Sequence, residues 1–456
     1  MTTATPTSIS PGSLSEASAA NRVLWLSTTA FTLMFAVWLM FGILAIPLRD
    51  ELGLSAVQFS WLAAIAILNG SLWRLVFGIL TDRYGGRRVF TVLVLLTAVP
   101  TFLVSYAQTY THLMLCAFLL GLAGNSFSVG IAWNAAWFPT KRQGFALGVF
   151  GAGNVGASVT KFIAPVVIAI VPTVGWLGGV VPGGWRFVPF LYGILLLGMA
   201  AALWWMSPAR DRMPGQGRAL SAMLQPLRCM RVWRFSLYYV VVFGAYVALA
   251  VWLPRYYQDV YGLALGPAAL LTALFIFPAS LLRPLGGYFS DCFGARRVMY
   301  WVFGGMTAAT LLLALPEMHI TVPAAGGQVY QLSLGLNVWL FTALLFVVAV
   351  GMGIGKAAVY KYIPDYFPKD VGAVGGLVGM LGALGGFLLP PVFAYFESFS
   401  GVPQATFFAL FVVTALSLLW LHVTVLRLLR EEASHVRHEF DLPTASGPTI
   451  TARNDA

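Results

Sequence analysis

Apolar runs long enough to cross a bilayer recur along almost the whole chain, and they decide its solvent. Spanning the hydrocarbon as a helix takes about 20 apolar residues. Twelve candidates lie near 23–47, 56–81, 89–107, 111–138, 143–171, 187–207, 235–254, 267–290, 298–316, 335–364, 371–396 and 403–426. Of the 456 residues, 59% are hydrophobic and 9% charged, against roughly 25% charged in soluble domains. A soluble fold of this make-up would expose an apolar surface, so lipid is the solvent. In lipid only helices and closed barrels satisfy the backbone. The runs are unbroken by alternating polar residues, which selects helices over barrel strands. Pro165, Pro278, Pro284 and Pro390 fall inside them as kink candidates.

The basic residues fix an orientation. With both termini in the cytoplasm, nineteen of the 27 Lys and Arg lie in inner segments. Three (Arg49, Arg186 and Arg255) lie in outer segments and five within spans, as the positive-inside rule requires. The formal charge of +11 is spread over short loops rather than gathered on one patch, which argues against nucleic acid as a partner. Residues 1–21 and 431–456 read as polar, disordered tails, and the first lacks the basic start and apolar core of a secretory signal. Cys116, Cys229 and Cys292 show no metal or disulfide spacing.

The chain contains itself twice. Ser71–Val89 and Ser280–Val298 match at nine of nineteen positions without a gap, pairing Arg74 with Arg283, Gly78 with Gly287 and Asp82 with Asp291. Phe138-Pro139 and Phe367-Pro368, each before a Gly-rich helix, are a weaker echo. A polar stretch at 208–231 separates six runs from six. The expected fold is an all-α membrane protein of twelve transmembrane helices in two pseudo-symmetric six-helix bundles, 22–207 and 232–430, a known transporter plan.

Arg74 and Arg283 each lie eight residues before the aspartate, about 12 Å along a helix. A charge at such depth costs on the order of 2.5–3.5 kcal/mol and marks a functional site by default. Guanidinium is permanently charged, planar and able to hold an oxyanion through two N–H groups. All sixteen acidic residues fall in tails, loops or helix ends, so the expected cavity holds cations without a countercharge. A small anion supplies what is missing. The glycines of the fifth helix (Gly151, Gly153, Gly156) and eleventh helix (Gly382, Gly385) allow close helix packing, and Asn154 adds an amide at mid-depth. Asp82, Arg83, Arg87, Arg88 and their counterparts Asp291, Arg296 and Arg297 form charged turns able to latch one conformation.

The turn Asp82 to Arg88 resembles the signature loop between the second and third helices of the major facilitator superfamily. Arg74, Arg283, the Gly151-x-Gly153-Asn154-x-Gly156 motif and the Gly-rich eleventh helix together resemble the nitrate/nitrite porter (NarK-type) family, over nearly all of residues 22–430. The resemblance implies that the two arginines hold the anion, with Asn154 beside it. It also implies that Tyr239, Phe243 and Phe127 line the site. It implies nitrate, and nitrite with it, as cargo, no cofactor and no metal. The location implied is the inner (plasma) membrane of a bacterium, with the chain a monomer.

Three lysines within spans depart from the antiporter branch: Lys161, Lys356 and Lys361. Lysine, unlike arginine, sheds its proton readily when buried, which offers proton coupling without a carboxylate. The expectation is a transporter importing nitrate with protons by alternating access. The alternatives are a nitrate/nitrite antiporter, then an organic-anion porter. A membrane sensor would need a large output domain, and an enzyme would need a catalytic constellation; the sequence offers neither. Gly351 to Lys356 mimics a phosphate loop only faintly, with Ala357 where Ser or Thr is required.

Overall fold

The computed structural model of the chain describes residues 11–432, apart from 42–43, 45–47, 49–50, 55 and 324–328. Its helical segments make twelve rods among the described residues. In the first half they are α1 (Pro11–Trp38), α2 (Ala56–Leu72 continued by Arg74–Tyr84), α3 (Gly86–Val104), α4 (Tyr110–Trp137), α5 (Thr140–Gly151 continued by Gly156–Ile170) and α6 (Phe187–Met206). In the second half they are α7 (Met230–Tyr261), α8 (Leu265–Leu281 continued by Arg283–Phe293), α9 (Ala295–Leu313), α10 (Val338–Tyr366), α11 (Val371–Ser400) and α12 (Ala405–Glu432).

The helices pack as two bundles of six. Within the first, α3 lies on α6 and α1 on α5; within the second, α9 lies on α10 and α12, and α7 on α11. Between the bundles, α2 packs along α11 and α5 along α8. These two contacts exchange under the pseudo-symmetry that the repeat implies, since α2 corresponds to α8 and α5 to α11.

Each copy of the repeat ends the same way. Gly85 stops α2 at φ 85° and Gly294 stops α8 at φ 82°, conformations that an L side chain resists. Only the first glycine of each turn needs this freedom. Gly86 is small for another reason: the Trp133 ring lies against its Cα.

Two expectations are corrected and one is extended. The first helix begins at Pro11, inside the stretch 1–21 expected as a tail. Ala17, Ala19 and Ala20 favour helix, and Glu16 pairs with Arg212 at 3.2 Å. The all-α fold expected holds, with one short addition: β1 (Met318–Pro323) and β2 (Val329–Leu334) pair antiparallel between α9 and α10, with Met318 opposite Leu334. Their alternating apolar and polar residues are the period-two signal of a strand, hidden in a hydropathy scan by flanking spans. The kink sites also differ. The helices carrying Pro165 and Pro390 run on without a break, while α2 breaks where no proline stands.

Candidate functional site

The breaks in α2 and α8 fall at equivalent residues, each just before an arginine. Trp73 has φ −89° and ψ 1°, and Leu282 has φ −81° and ψ 2°, in the sparsely allowed bridge region. In α8 the flanking Pro278 and Pro284 weaken the hydrogen-bond ladder, and the two segments bend by 40°. In α2 the Arg74 side chain intervenes. Its Nε donates to the Gly70 carbonyl at 3.0 Å, the acceptor that its own backbone N–H would use in an unbroken helix.

Both guanidinium groups then cross to the opposite bundle. Arg74 Nη1 donates to the Gly379 carbonyl of α11 at 3.1 Å, and Arg283 Nη1 to the Gly151 carbonyl of α5 at 3.2 Å. Both arginines are completely buried. Arg74 Nη2 and Arg283 Nε make no hydrogen bond. Among the described residues neither arginine has an ion pair, and the two repel one another. Buried charge without a countercharge is costly, so the space between the two arginines is a cationic site.

Aromatic rings wall it. Phe127 lies between the arginines, 5.4 Å from Arg74 Cζ and 5.2 Å from Arg283 Cζ. Phe243 stacks on Phe127 at 6.3 Å and 7°, and Tyr239 on Phe243 at 5.0 Å and 9°. Phe243 is carried by a π turn at Val240–Gly244 within α7. Tyr360 closes the box edge-on, 5.0 Å from Phe127 and 4.8 Å from Tyr239, and bonds the Gly375 carbonyl at 2.9 Å. Trp38 covers Arg74 at 5.4 Å. The Asn154 amide is completely buried on a single 3-10 turn of α5, with both Nδ2 and Oδ1 unpaired.

Tyr360 and Trp38 escaped sequence reasoning, as did Tyr246. For Trp38 and Tyr246 the signal was register. Phe31, Phe35 and Trp38 on α1 repeat the spacing of Tyr239, Phe243 and Tyr246 on α7. Phe127 and Lys356 each stand twelve residues before the proline of a Phe-Pro pair. Lys356 thus occupies the position in the second bundle that Phe127 occupies in the first.

The three lysines part company. Lys356 is completely buried, donates to the Ala279 carbonyl at 3.0 Å, and lies 3.1 Å over the Tyr246 ring and 5.8 Å from that of Phe243. It feels Arg283 as a like charge. Lys361 does not belong to this cavity. It lies a turn and a half further on and pairs with Asp291 at 3.0 Å and Asp365 at 3.4 Å. Lys161 stands on α5, and its side chain lies outside the described residues.

Beyond the arginines, toward the basic end, two aspartates bolt the bundles together, and Lys361 Nζ also donates to the Thr140 carbonyl of α5 across the same boundary. Asp82 Oδ2 accepts from the Gly372 N–H of α11 at 2.8 Å. Asp291 accepts from the N–H groups of Gly144 and Phe145 in α5 at 3.1 and 2.8 Å. Asp82 thereby caps the first turn of α11, where the helix dipole favours an anion, while Asp291 reaches the second turn of the pseudo-equivalent α5. The arginines of the turns take no part. Arg87 bonds the carbonyls of Trp204 and Ala209 in its own bundle. No contact of Arg83, Arg88, Arg296 or Arg297 joins the bundles among the described residues. Toward the opposite end, a cavity of about 120 Å³ opens between α1, α2 and α5 on one side and α7 and α8 on the other, with Trp38 and Tyr246 in its wall.

The glycines sort by what they touch. Gly144, Gly148 and Gly151 on α5 and Gly372, Gly376 and Gly379 on α11 share one spacing. The first five face the backbone, the aspartate or the guanidinium of α8 and α2, and Gly379 faces Arg74 and the Tyr360 hydroxyl. Gly153 and Gly156 pack on α1, and Gly382 and Gly385 on α7, each within its own bundle. Of the packing glycines singled out in the sequence, only Gly151 lies at the boundary between the bundles.

Two six-helix bundles closed over a central cationic site, bonded together at one end and hollow toward the other, have the build of a membrane transporter. The sequence profile of the Major Facilitator Superfamily matches residues 26–318 and 265–451. A Thermus thermophilus protein described as a probable nitrate/nitrite antiporter, NarK1, is 66% identical over 421 residues, 92% of this chain and 95% of the relative. A nitrite extrusion protein of Bacillus subtilis is 32% identical, covering 82% and 87%. A probable nitrate transporter NarT of Staphylococcus carnosus is 32% identical, covering 87% and 95%. In fold, the chain is similar to the transporter FucP in its outward conformation, with a TM-score of 0.66, 16% identity and coverage of 88% and 98%. It is also similar to a human organic anion transporter, MFSD10, with a TM-score of 0.67, 14% identity and coverage of 89% and 99%. The chain belongs to the Major Facilitator Superfamily and, within it, to the nitrate/nitrite porter family.

Proposed function

We propose that this chain imports nitrate across the bacterial inner membrane together with protons, with both termini in the cytoplasm and nitrite as a second substrate. The observation that carries the reading is the pair of buried guanidinium groups, each with an unspent N–H, from equivalent positions of two bundles and without a carboxylate between them. Nitrate neutralises their repulsion and lets the bundles close around it. Arg74 and Arg283 clasp the ion, Asn154 donates from its free amide, and Phe127, Phe243, Tyr239 and Tyr360 hold a planar slot. The narrow ring-on-ring box suits a small planar ion better than an organic anion. Lys356 is the proton carrier, the one buried cation of the cavity among the described residues that can become neutral.

A second reading is nitrate/nitrite exchange, favoured by the description of the Thermus thermophilus relative. The two separate in proteoliposomes. Import predicts nitrate uptake that accelerates with outside acid and needs no internal nitrite. Uptake indifferent to the proton gradient and driven by internal nitrite would refute symport.

A further inference from the structure

The Arg-Arg pair is the part of each duplicated turn that the inter-bundle bolts leave unused, and each pair lines its own hollow at the basic end. Arg87 and Arg88 border a hollow of about 510 Å³ with Tyr84, Trp204, Arg210 and Asp211. Arg296 and Arg297 border one of about 450 Å³ with Phe293, Asp365 and Tyr366. The first holds three cations and one acid. That acid is already committed: Asp211 accepts from the N–H groups of Arg87 and Arg212 and from the indoles of Trp133 and Trp137, at 2.9–3.0 Å. Arg88 and Arg210 are exposed and have no hydrogen bond or ion pair among the described residues. In the second hollow Asp365 is likewise engaged, by Lys361 at 3.4 Å.

The depth of the hollows is set by the rings around them. Tyr84, Trp204, Phe293 and Tyr366 are all more than a third exposed, at the helix ends where aromatic side chains mark the bilayer interface. An anion held there belongs at headgroup level. Arginine matches a phosphate bidentately, and basic pockets at this depth take lipid headgroups.

We propose that each copy of the turn forms a pocket for the phosphate headgroup of an anionic lipid in the leaflet that the basic end meets. The chain thus carries two pseudo-symmetric lipid sites, one per bundle, beside the two aspartate bolts. Because Asp82 and Asp291 lie a few residues from the arginine pairs, a bound headgroup holds each turn in place as its bolt closes.

The test is native mass spectrometry of the full-length protein, delipidated and then given phosphatidylglycerol or phosphatidylcholine. Phosphatidylglycerol should be retained preferentially, as two copies. Arg88→Gln with Arg210→Gln should lose one copy, and adding Arg296→Gln with Arg297→Gln should lose the other. Affinity should fall about five-fold for each arginine removed, the weight of one basic residue at an anionic surface. Arg88→Lys with Arg210→Lys should retain the lipid, which separates lost charge from misfolding. Unchanged phosphatidylglycerol retention in the four-fold variant would overturn the proposal. So would displacement of the lipid by inorganic phosphate or by nitrate, either of which would make the hollows sites for a free ion. The readout is lipid binding, so it is independent of which anion the carrier moves.

Discussion

Two glycines leave room for the groups at the centre: Gly151 for the Arg283 guanidinium and Gly379 for the Tyr360 hydroxyl beside Arg74. A Cβ on Gly151 would lie 2.5 Å from Arg283 Cζ, and one on Gly379 would lie 2.7 Å from the Tyr360 hydroxyl. Gly151→Ala should displace the Arg283 guanidinium and weaken its hold on the anion. Losing one charge-assisted hydrogen bond costs about 1.5–3 kcal/mol, so nitrate affinity should fall about ten- to a hundred-fold. Gly153→Ala is the control, because its Cβ would meet Phe31 on α1. That change should lower thermal stability by about 1–3 kcal/mol through overpacking and leave affinity nearly intact. Equal losses of affinity in the two variants would contradict this division. The arginines were legible in the sequence because a permanent charge inside an apolar run is too costly to stand there without a task. Tyr360 was not, since one aromatic residue in a chain that is 14% aromatic carries no mark of the face it turns inward.

At the scale of elements, the two aspartate bolts hold the basic end shut and a strap reinforces one of them. The segment after α6 is tied to the first bundle through Asp211 and to α11 through Arg218, which pairs with Asp370 at 2.5 Å and bonds the Lys369 carbonyl at 2.9 Å. Met223 of the same segment packs between Ile79 of α2 and Ala373 of α11. The strap therefore crosses the boundary that must part when the basic end opens. Asp82→Asn should weaken its charge-assisted bond to Gly372, worth about 1.5–3 kcal/mol. Arg218→Ala should release the strap from α11. Both variants should shift the resting population toward the form open at the basic end, read as a longer spin-label distance between the ends of α2 and α11. No lengthening in a variant combining the two changes would mean that neither contact holds the gate. The duplicated turns were plain in the sequence, and so were their aspartates. The break before each arginine was not, because in α2 a side chain rather than a proline interrupts the helix.

For the whole molecule, the governing quantity is charge. A nitrate ion moving inward alone against an inside-negative potential climbs about 2.3 kcal/mol per 100 mV, close to a fifty-fold disadvantage. One proton carried with it removes that cost. Among the described residues the cavity holds two cations that keep their charge and one, Lys356, that can lose it. When nitrate sits between the arginines, its negative charge favours a protonated lysine nearby; when it leaves, the like charge of Arg283 favours proton release. Anion and proton thus bind cooperatively without a carboxylate. Lys356→Met should keep nitrate binding but break the coupling. Its uptake should no longer respond to a pH gradient, and an inside-negative potassium diffusion potential should slow it. Wild-type uptake, at one proton per nitrate, should respond to the pH gradient and ignore the potential. Lys356→Arg, with its charge made permanent, should bind nitrate tightly and turn over slowly. If Lys356→Met transport follows the proton gradient as steeply as the wild type, the proton travels by another group and the lysine is only a third fixed charge.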